Sequence, residues 1–150
     1  LAGTRNPTSE KHLHVFIMLN RNDVNAVIHS HAEYSTILSI ARMRLGPIVD
    51  EIIPFIGGCE LAEYGMAGSE DIAHKAVQAL GKNYAVFLPN HGNVCCGTNM
   101  KHAYTILQQV EFAAKVQYKA SLLGTVYALP EEAEEDEKEM FEIMRDLGNI

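Results

Sequence analysis

Tyr84-Ala85-Val86-Phe87-Leu88-Pro89-Asn90-His91-Gly92-Asn93-Val94-Cys95-Cys96-Gly97 is the stretch whose reading decides the fold. Tyr84 to Leu88 is a short continuous apolar run, the pattern of a strand buried on both faces. Asn90-His91-Gly92 carries turn chemistry. Asn93 to Gly97 then resumes as the antiparallel partner of the first run. The pair predicts the middle of a sheet, and it sets His91 in a tight connection between two core strands.

Outward from this hairpin, helix and strand patterns alternate without repeats or low-complexity segments. Thr8 or Ser9 can cap a helix running to about residue 22, with Pro7 just before the cap and Glu10 in the first turn. Asn25-Ala26-Val27-Ile28 is a short β-prone run that leads into His29-Ser30-His31. Residues 33–43 present Ile37, Leu38, Ile40 and Ala41 at helical spacing before Gly46-Pro47 stops them. The β-branched run 48–56 predicts one or two strands, broken at Pro54 and ended by Gly57-Gly58, and 59–64 reads as another short strand. Ser69 caps a helix that ends near Gly81, and Glu70 and Asp71 in its first turn suit its dipole. The longest helix spans 99–123, with Ala103, Ile106, Leu107, Val110, Ala113 and Ala114 on one face. After Pro130, the run Glu131-Glu132-Ala133-Glu134-Glu135-Asp136-Glu137 opens a terminal helix whose acidic start reads as a solvated face rather than a metal site.

Composition narrows the function. A chain of 150 residues with 47% hydrophobic content suits one domain, 1–150, with a proper core. A net charge of −7 offers no basic stripe for phosphates, so no nucleic-acid partner is expected. No apolar run approaches the ~20 residues that span a bilayer, and no signal peptide is visible, so no membrane partner is expected. Cys59, Cys95 and Cys96 are odd in number and badly spaced for a disulfide framework. They read as small buried thiols in a reducing, cytoplasmic setting. Adjacent strand residues face opposite ways, so at most one of Cys95 and Cys96 could approach His91 as a thiolate ligand.

Two His-x-His pairs occur, and geometry separates them. His12 and His14 lie in the first helical pattern, where two residues make a turn of roughly 200° and the rings point apart. His29 and His31 end a strand, where the same spacing puts both side chains on one face. With His91 they make three imidazoles, the commonest protein ligand for zinc, and such a set leaves one tetrahedral position open. Polar residues at a strand end are the plainer reading of the pair. Dipole compensation in a helix's first turn is the plainer reading of Glu10.

Asn6-Pro7-Thr8-Ser9-Glu10, Asp23-Val24-Asn25-Ala26-Val27-Ile28-His29-Ser30-His31 and Asn90-His91-Gly92 together resemble the class II aldolase/adducin-head family, in the right order and separations over nearly the whole chain. The resemblance implies that His29, His31 and His91 bind one Zn2+ per chain and that Glu10 is the catalytic acid/base. It also implies that Thr8 and Ser9 bind the substrate phosphate, at a helix start that favours anions anyway. Tyr64, in Glu63-Tyr64-Gly65, falls where the aldolases carry an active-site tyrosine, and is equally readable as a packed strand residue.

The chemistry accounts for these residue types. Cleaving a carbon–carbon bond next to a carbonyl leaves an enediolate, whose charge a Lewis-acidic metal can take up. Neutral histidines preserve the positive charge of that metal, and a carboxylate can move the proton at carbon. The implied fold is α/β: three layers, α-β-α, with a central, largely antiparallel sheet. The implied function is a zinc-dependent aldolase of the L-fuculose-1-phosphate type, an aldehyde-lyase cleaving a phosphorylated ketose to dihydroxyacetone phosphate and an aldehyde. Glu10 favours this over the epimerases, which typically carry Asp there. The alternatives are a related zinc lyase or epimerase (methylthioribulose-phosphate dehydratase, sugar-acid-phosphate decarboxylase, ribulose-phosphate 4-epimerase) or a non-catalytic adducin-like interaction module. The family further implies a homotetramer with the site near a subunit boundary. Its members carry a longer segment ahead of the Pro-Thr-Ser-Glu stretch, with a Gly-Asn-containing phosphate loop. This chain starts at Leu1-Ala2-Gly3-Thr4-Arg5, so the expectation is a domain lacking that N-terminal part.

Overall fold

A computed structural model describes residue 4, residues 6–50 and residues 52–148. Most of the segment Leu1-Ala2-Gly3-Thr4-Arg5, on which the reading of the chain start rests, lies outside the described residues, as does Glu51 within the run 48–56. The elements are α1 (Lys11–Asn20), β1 (Ala26–Ser30), α2 (Glu33–Ile40), α3 (Ile53–Ile56), β2 (Cys59–Leu61), α4 (Glu70–Leu80), β3 (Ala85–Leu88), β4 (Gly92–Gly97), α5 (Met100–Leu123) and α6 (Glu131–Asp146).

The strands form a four-stranded sheet in the order β1-β4-β3-β2. β3 and β4 are the expected hairpin, with Leu88 opposite Gly92 and Val86 opposite Val94. β1 adds antiparallel to β4, with His29 opposite Val94 and Ser30 opposite Asn93. Only β2 runs parallel to its neighbour β3, and α4 supplies the crossover that a parallel pair needs. Every residue of β3 and β4 is buried, as expected for strands covered on both faces. α1 and α4 pack on each other and against β1, β2 and β3, whereas α2 and α5 pack on each other and against β1, β3 and β4. The sheet is therefore flanked by helices, in a mixed α/β fold. Leu13, Ile17, Leu38, Ile72, Leu80, Phe87, Leu88 and Ile106 fill the core between them.

Capping follows the expectation at α4, where the Ser69 hydroxyl accepts from Ile72 N–H at 3.3 Å. It departs at α1. The Lys11 N–H reaches the Thr8 carbonyl at 3.2 Å, so 8–11 is a turn of its own and the helix opens after Glu10, which makes no side-chain cap bond. The Thr8 hydroxyl instead accepts from Glu10 N–H at 3.3 Å. The described residues of the run 48–56 form no strand. Ile52, Ile53 and Ile56 are buried at helical spacing, and Pro54 sits in the first turn of α3, where its missing N–H costs nothing. Gly57, at φ 76°, closes that helix. β2 stops at Leu61 rather than residue 64, and α2 stops at Ile40 rather than 43, because Arg42 turns left-handed at φ 58°. α6 buries only Phe141, consistent with a solvated acidic face. None of the helices among the described residues is long and apolar enough to cross a membrane.

Candidate metal centre

β1 carries His29 to the edge of the sheet, and the chain leaves the strand at His31. His91 arrives from the other side on the β3–β4 connection, a turn closed by His91 N–H to the Leu88 carbonyl at 3.1 Å, with Asn90 left-handed at φ 58°. Gly92 lets that turn press against the end of β1. A Cβ at this position would lie 2.2 Å from the Ser30 carbonyl oxygen and 3.1 Å from His31 Cα. The three rings meet with centroids 5.0 Å (His29–His31), 4.7 Å (His29–His91) and 4.8 Å (His31–His91) apart. One ligand atom from each lies within 4.8 Å of the others. Because the close approach depends on the missing Cβ, Gly92→Ala should separate His91 from β1. The expected result is a loss of about 1–3 kcal/mol of stability, the usual cost of overpacking, together with a large drop in metal uptake, measured by denaturant melts and by metal titration.

His29 shows that this cluster suits a metal. Its Nδ1 donates to the Asn93 carbonyl at 2.9 Å, which leaves the lone pair on Nε2. That Nε2 is buried and has no hydrogen-bond partner. A buried nitrogen left unpaired costs free energy, and a cation placed among three imidazoles removes the cost. His29 and His91 are half-buried and His31 is exposed, so the group opens to solvent on one side. Three neutral nitrogen donors with an open position match a catalytic rather than a structural metal site.

Electrostatics disfavours the charged form of two of the three rings, His29 and His91. Burial pushes the proton affinity of His29 below the ordinary imidazole value, and repulsion from His91 and His31 adds to this against the Asn93 hydrogen bond and Glu10. His91 is lowered mainly by burial, with Glu10 pulling it up and His31 pulling it down. The half-buried His102, outside the cluster, is lowered by burial alone. In each case the unfolded chain binds protons more readily than the folded one. The metal-free protein should therefore hold this part of its stability above the ordinary imidazole pKa of about 6.5 and lose it as pH falls through that value towards the folded ones. Thermal melts between pH 8 and pH 5 check the sign: a melting point that rises on acidification over this range would contradict it.

Glu10 is brought to the cluster. Its residue is 9% exposed, its Oε2 is buried with no partner, and its charge acts on both His29 and His91. The turn at Gly68 lies close by: a Cβ there would stand 3.7 Å from Oε1, an ordinary contact distance. Thr8 and Ser9 are exposed immediately ahead of α1. Tyr64 is no packed strand residue: it is 61% exposed beyond the end of β2, and its carbonyl accepts from the Lys75 ammonium at 2.7 Å. His12 and His14 stay outside the three-histidine group, as the helical spacing predicts. Cys59, Cys95 and Cys96 are free and buried, and burial pushes Cys96 up to about 12. Such thiols are inert and supply no ligand. Sequence reasoning missed Asn93, which is fully buried in β4 although polar, and Arg42, whose guanidinium spans the Ser39 carbonyl and the Asn90 side-chain oxygen beside His91. A lone Asn in an apolar strand was the available signal for the first.

A sheet-edge histidine triad that could hold a metal ion, with a buried carboxylate near it, marks the site of this α/β chain, and comparison with known proteins gives its class. Residues 1–118 match the family described as Class II Aldolase and Adducin N-terminal domain. The chain belongs to that family. It is 32% identical over 143 residues to a 5-deoxy-D-ribulose 1-phosphate aldolase of Bacillus thuringiensis serovar kurstaki, covering 95% of this chain and 67% of that protein. It is 36% identical over 110 residues to an L-fuculose phosphate aldolase of Methanocaldococcus jannaschii, covering 73% of this chain and 60% of that protein. A solved L-fuculose 1-phosphate aldolase superposes with a TM-score of 0.88 at 32% identity, over 95% of this chain and 67% of that one. The chain thus spans about two thirds or less of the lengths of these relatives. Family and relatives together support a lyase.

Proposed function

We propose that the chain is the metal-binding part of a zinc-dependent aldolase that reversibly cleaves a phosphorylated ketose to dihydroxyacetone phosphate and an aldehyde. The observation that carries this reading is a pair of buried atoms without partners, His29 Nε2 and Glu10 Oε2, at one cluster of three histidines. His29, His31 and His91 would hold one zinc ion. A zinc ion bound there would supply Lewis-acid stabilisation of the negative charge that develops on substrate oxygens during carbon–carbon cleavage, worth several kcal/mol.

The other roles belong to the chain's own groups. Glu10, shielded from water, takes and returns the proton at the substrate carbon next to the carbonyl. Thr8 and Ser9, whose exposed side chains stand immediately ahead of α1, face the phosphate. The exposed Tyr64 hydroxyl is the remaining candidate for giving a proton to the aldehyde oxygen. Ketose 1-phosphates are the natural first substrates, because the relatives are named for L-fuculose phosphate and 5-deoxy-D-ribulose 1-phosphate. The three buried thiols suit a cytoplasmic setting. A homotetramer is the assembly the family resemblance implies, and the exposed Tyr104, Phe112, Leu122 and Leu123 along α5 offer apolar surface for self-association.

The test is release of an aldehyde from a small panel of ketose 1-phosphates by the zinc-loaded protein. Equimolar aldehyde and dihydroxyacetone phosphate are expected. Loss of water or inversion at one carbon, without cleavage, would replace the aldolase reading by the dehydratase or epimerase one. No turnover of any of these would favour the adducin-like module.

A further inference from the structure

We propose that Glu111 on α5, acting through Ser35 and Asn93, is a positioning residue for the histidine cluster, a role that rests on the metal-site reading above. α2 begins two residues after His31, and its cap residue Ala32 has no side chain to satisfy the first free N–H groups. The Glu111 carboxylate does this from outside. Its Oε1 accepts from Tyr34 N–H at 2.7 Å, and its Oε2 accepts from Ser35 N–H at 3.0 Å and from the Ser35 hydroxyl at 2.8 Å. A negative charge at that helix end is also favoured by the dipole.

From Ser35 the contacts run on to the cluster. Asn93 Nδ2 donates to the Ser35 hydroxyl oxygen at 2.8 Å, and the Ser30 hydroxyl donates to Asn93 Oδ1 at 2.7 Å. The Asn93 main-chain carbonyl accepts the hydrogen bond of His29 Nδ1–H. Ser35 and Asn93 are both 0% exposed, so water cannot substitute for a lost partner.

The polarity of this relay is dictated at one end. A carboxylate only accepts, which commits the Ser35 proton to Glu111 and leaves the Ser35 oxygen free only to accept. Asn93 must then turn its NH2 group to Ser35 and its oxygen to Ser30. One carboxylate thus orients the buried amide, anchors the carbonyl that sets the tautomer of His29, and holds the helix that starts just past His31. Groups that support metal-binding histidines in this way commonly change metal affinity by about 10–100-fold when altered.

Cobalt(II) titration of the metal-free 150-residue chain, read by its visible absorption, is the test. Glu111→Gln keeps the size of the side chain but places an NH2 group against donors, and the milder Ser30→Ala removes only the hydroxyl that donates to Asn93 Oδ1. Glu111→Gln is expected to bind cobalt at least 10-fold more weakly, with a changed absorption band, and Ser30→Ala to act in the same direction. The double variant should lose less than the product of the two single effects, because both cut one chain of contacts. Wild-type affinity and spectrum in the folded variants, whatever their melting points, would overturn the proposal while leaving the metal site standing. Failure of the unaltered chain to bind cobalt would instead overturn the metal reading and this role with it. If Glu111→Gln does not fold, Ser30→Ala decides alone, unchanged binding counting against the proposal.

Discussion

Glu10→Gln is expected to leave zinc bound and to lower turnover by about 10²–10⁴-fold, the usual contribution of a positioned acid/base. The substitution is nearly isosteric, so the buried side chain keeps its volume. Glu10 makes no cap bond to α1, so the helix loses nothing. What is lost is a carboxylate whose Oε2 is buried without a partner beside His29 and His91. A buried carboxyl oxygen without a hydrogen-bond partner is a burden to the fold, and its presence is intelligible if the reaction uses it. The metal-free variant should accordingly be as stable as the parent or more so. Unimpaired turnover with a lowered melting point would mean that Glu10 serves only the helix start. Metal content, kcat and thermal melts on the same preparation separate these outcomes.

The second large effect is expected from His29→Ala. Removing this ring takes away the one ligand whose free nitrogen is fully enclosed and whose tautomer is set by Asn93. Metal affinity should fall by more than the ~10–100-fold typical of supporting residues, and turnover should fall to background at ordinary zinc concentrations. The metal-free variant should stay folded, because His29 is only half-buried and β1 keeps its ladder with β4. His12→Ala, in the other His-x-His pair, should leave metal binding unchanged.

The histidine cluster was legible because it rests on two short-range rules. A period of two put His29 and His31 on one face, and a tight hairpin between apolar strands delivered His91. The direction of Glu10 was not legible. By local rules it reads as an ordinary first-turn acid; only the family resemblance pointed it to the site, and the turn at 8–11 that makes it the residue before α1 has no local signal. The run 48–56 was misread because isoleucines suit both periods, and Pro54 excludes a strand interior without excluding the first turn of a helix. Tyr64 followed the same pattern, since the extent of β2 depends on what β3 offers it. Least legible of all was the Glu111–Ser35–Asn93 relay. Its partners stand 76 and 58 positions apart in the chain, and no local pattern reports a contact of that kind.

The central claim is that His29, His31 and His91 hold a catalytic zinc. Elemental analysis of the purified chain, after dialysis against zinc and then metal-free buffer, tests it most directly. About one zinc per chain is predicted, falling to background in His29→Ala and unchanged in Glu10→Gln. A chain that retains no zinc, or retains it equally in His29→Ala, would contradict the account.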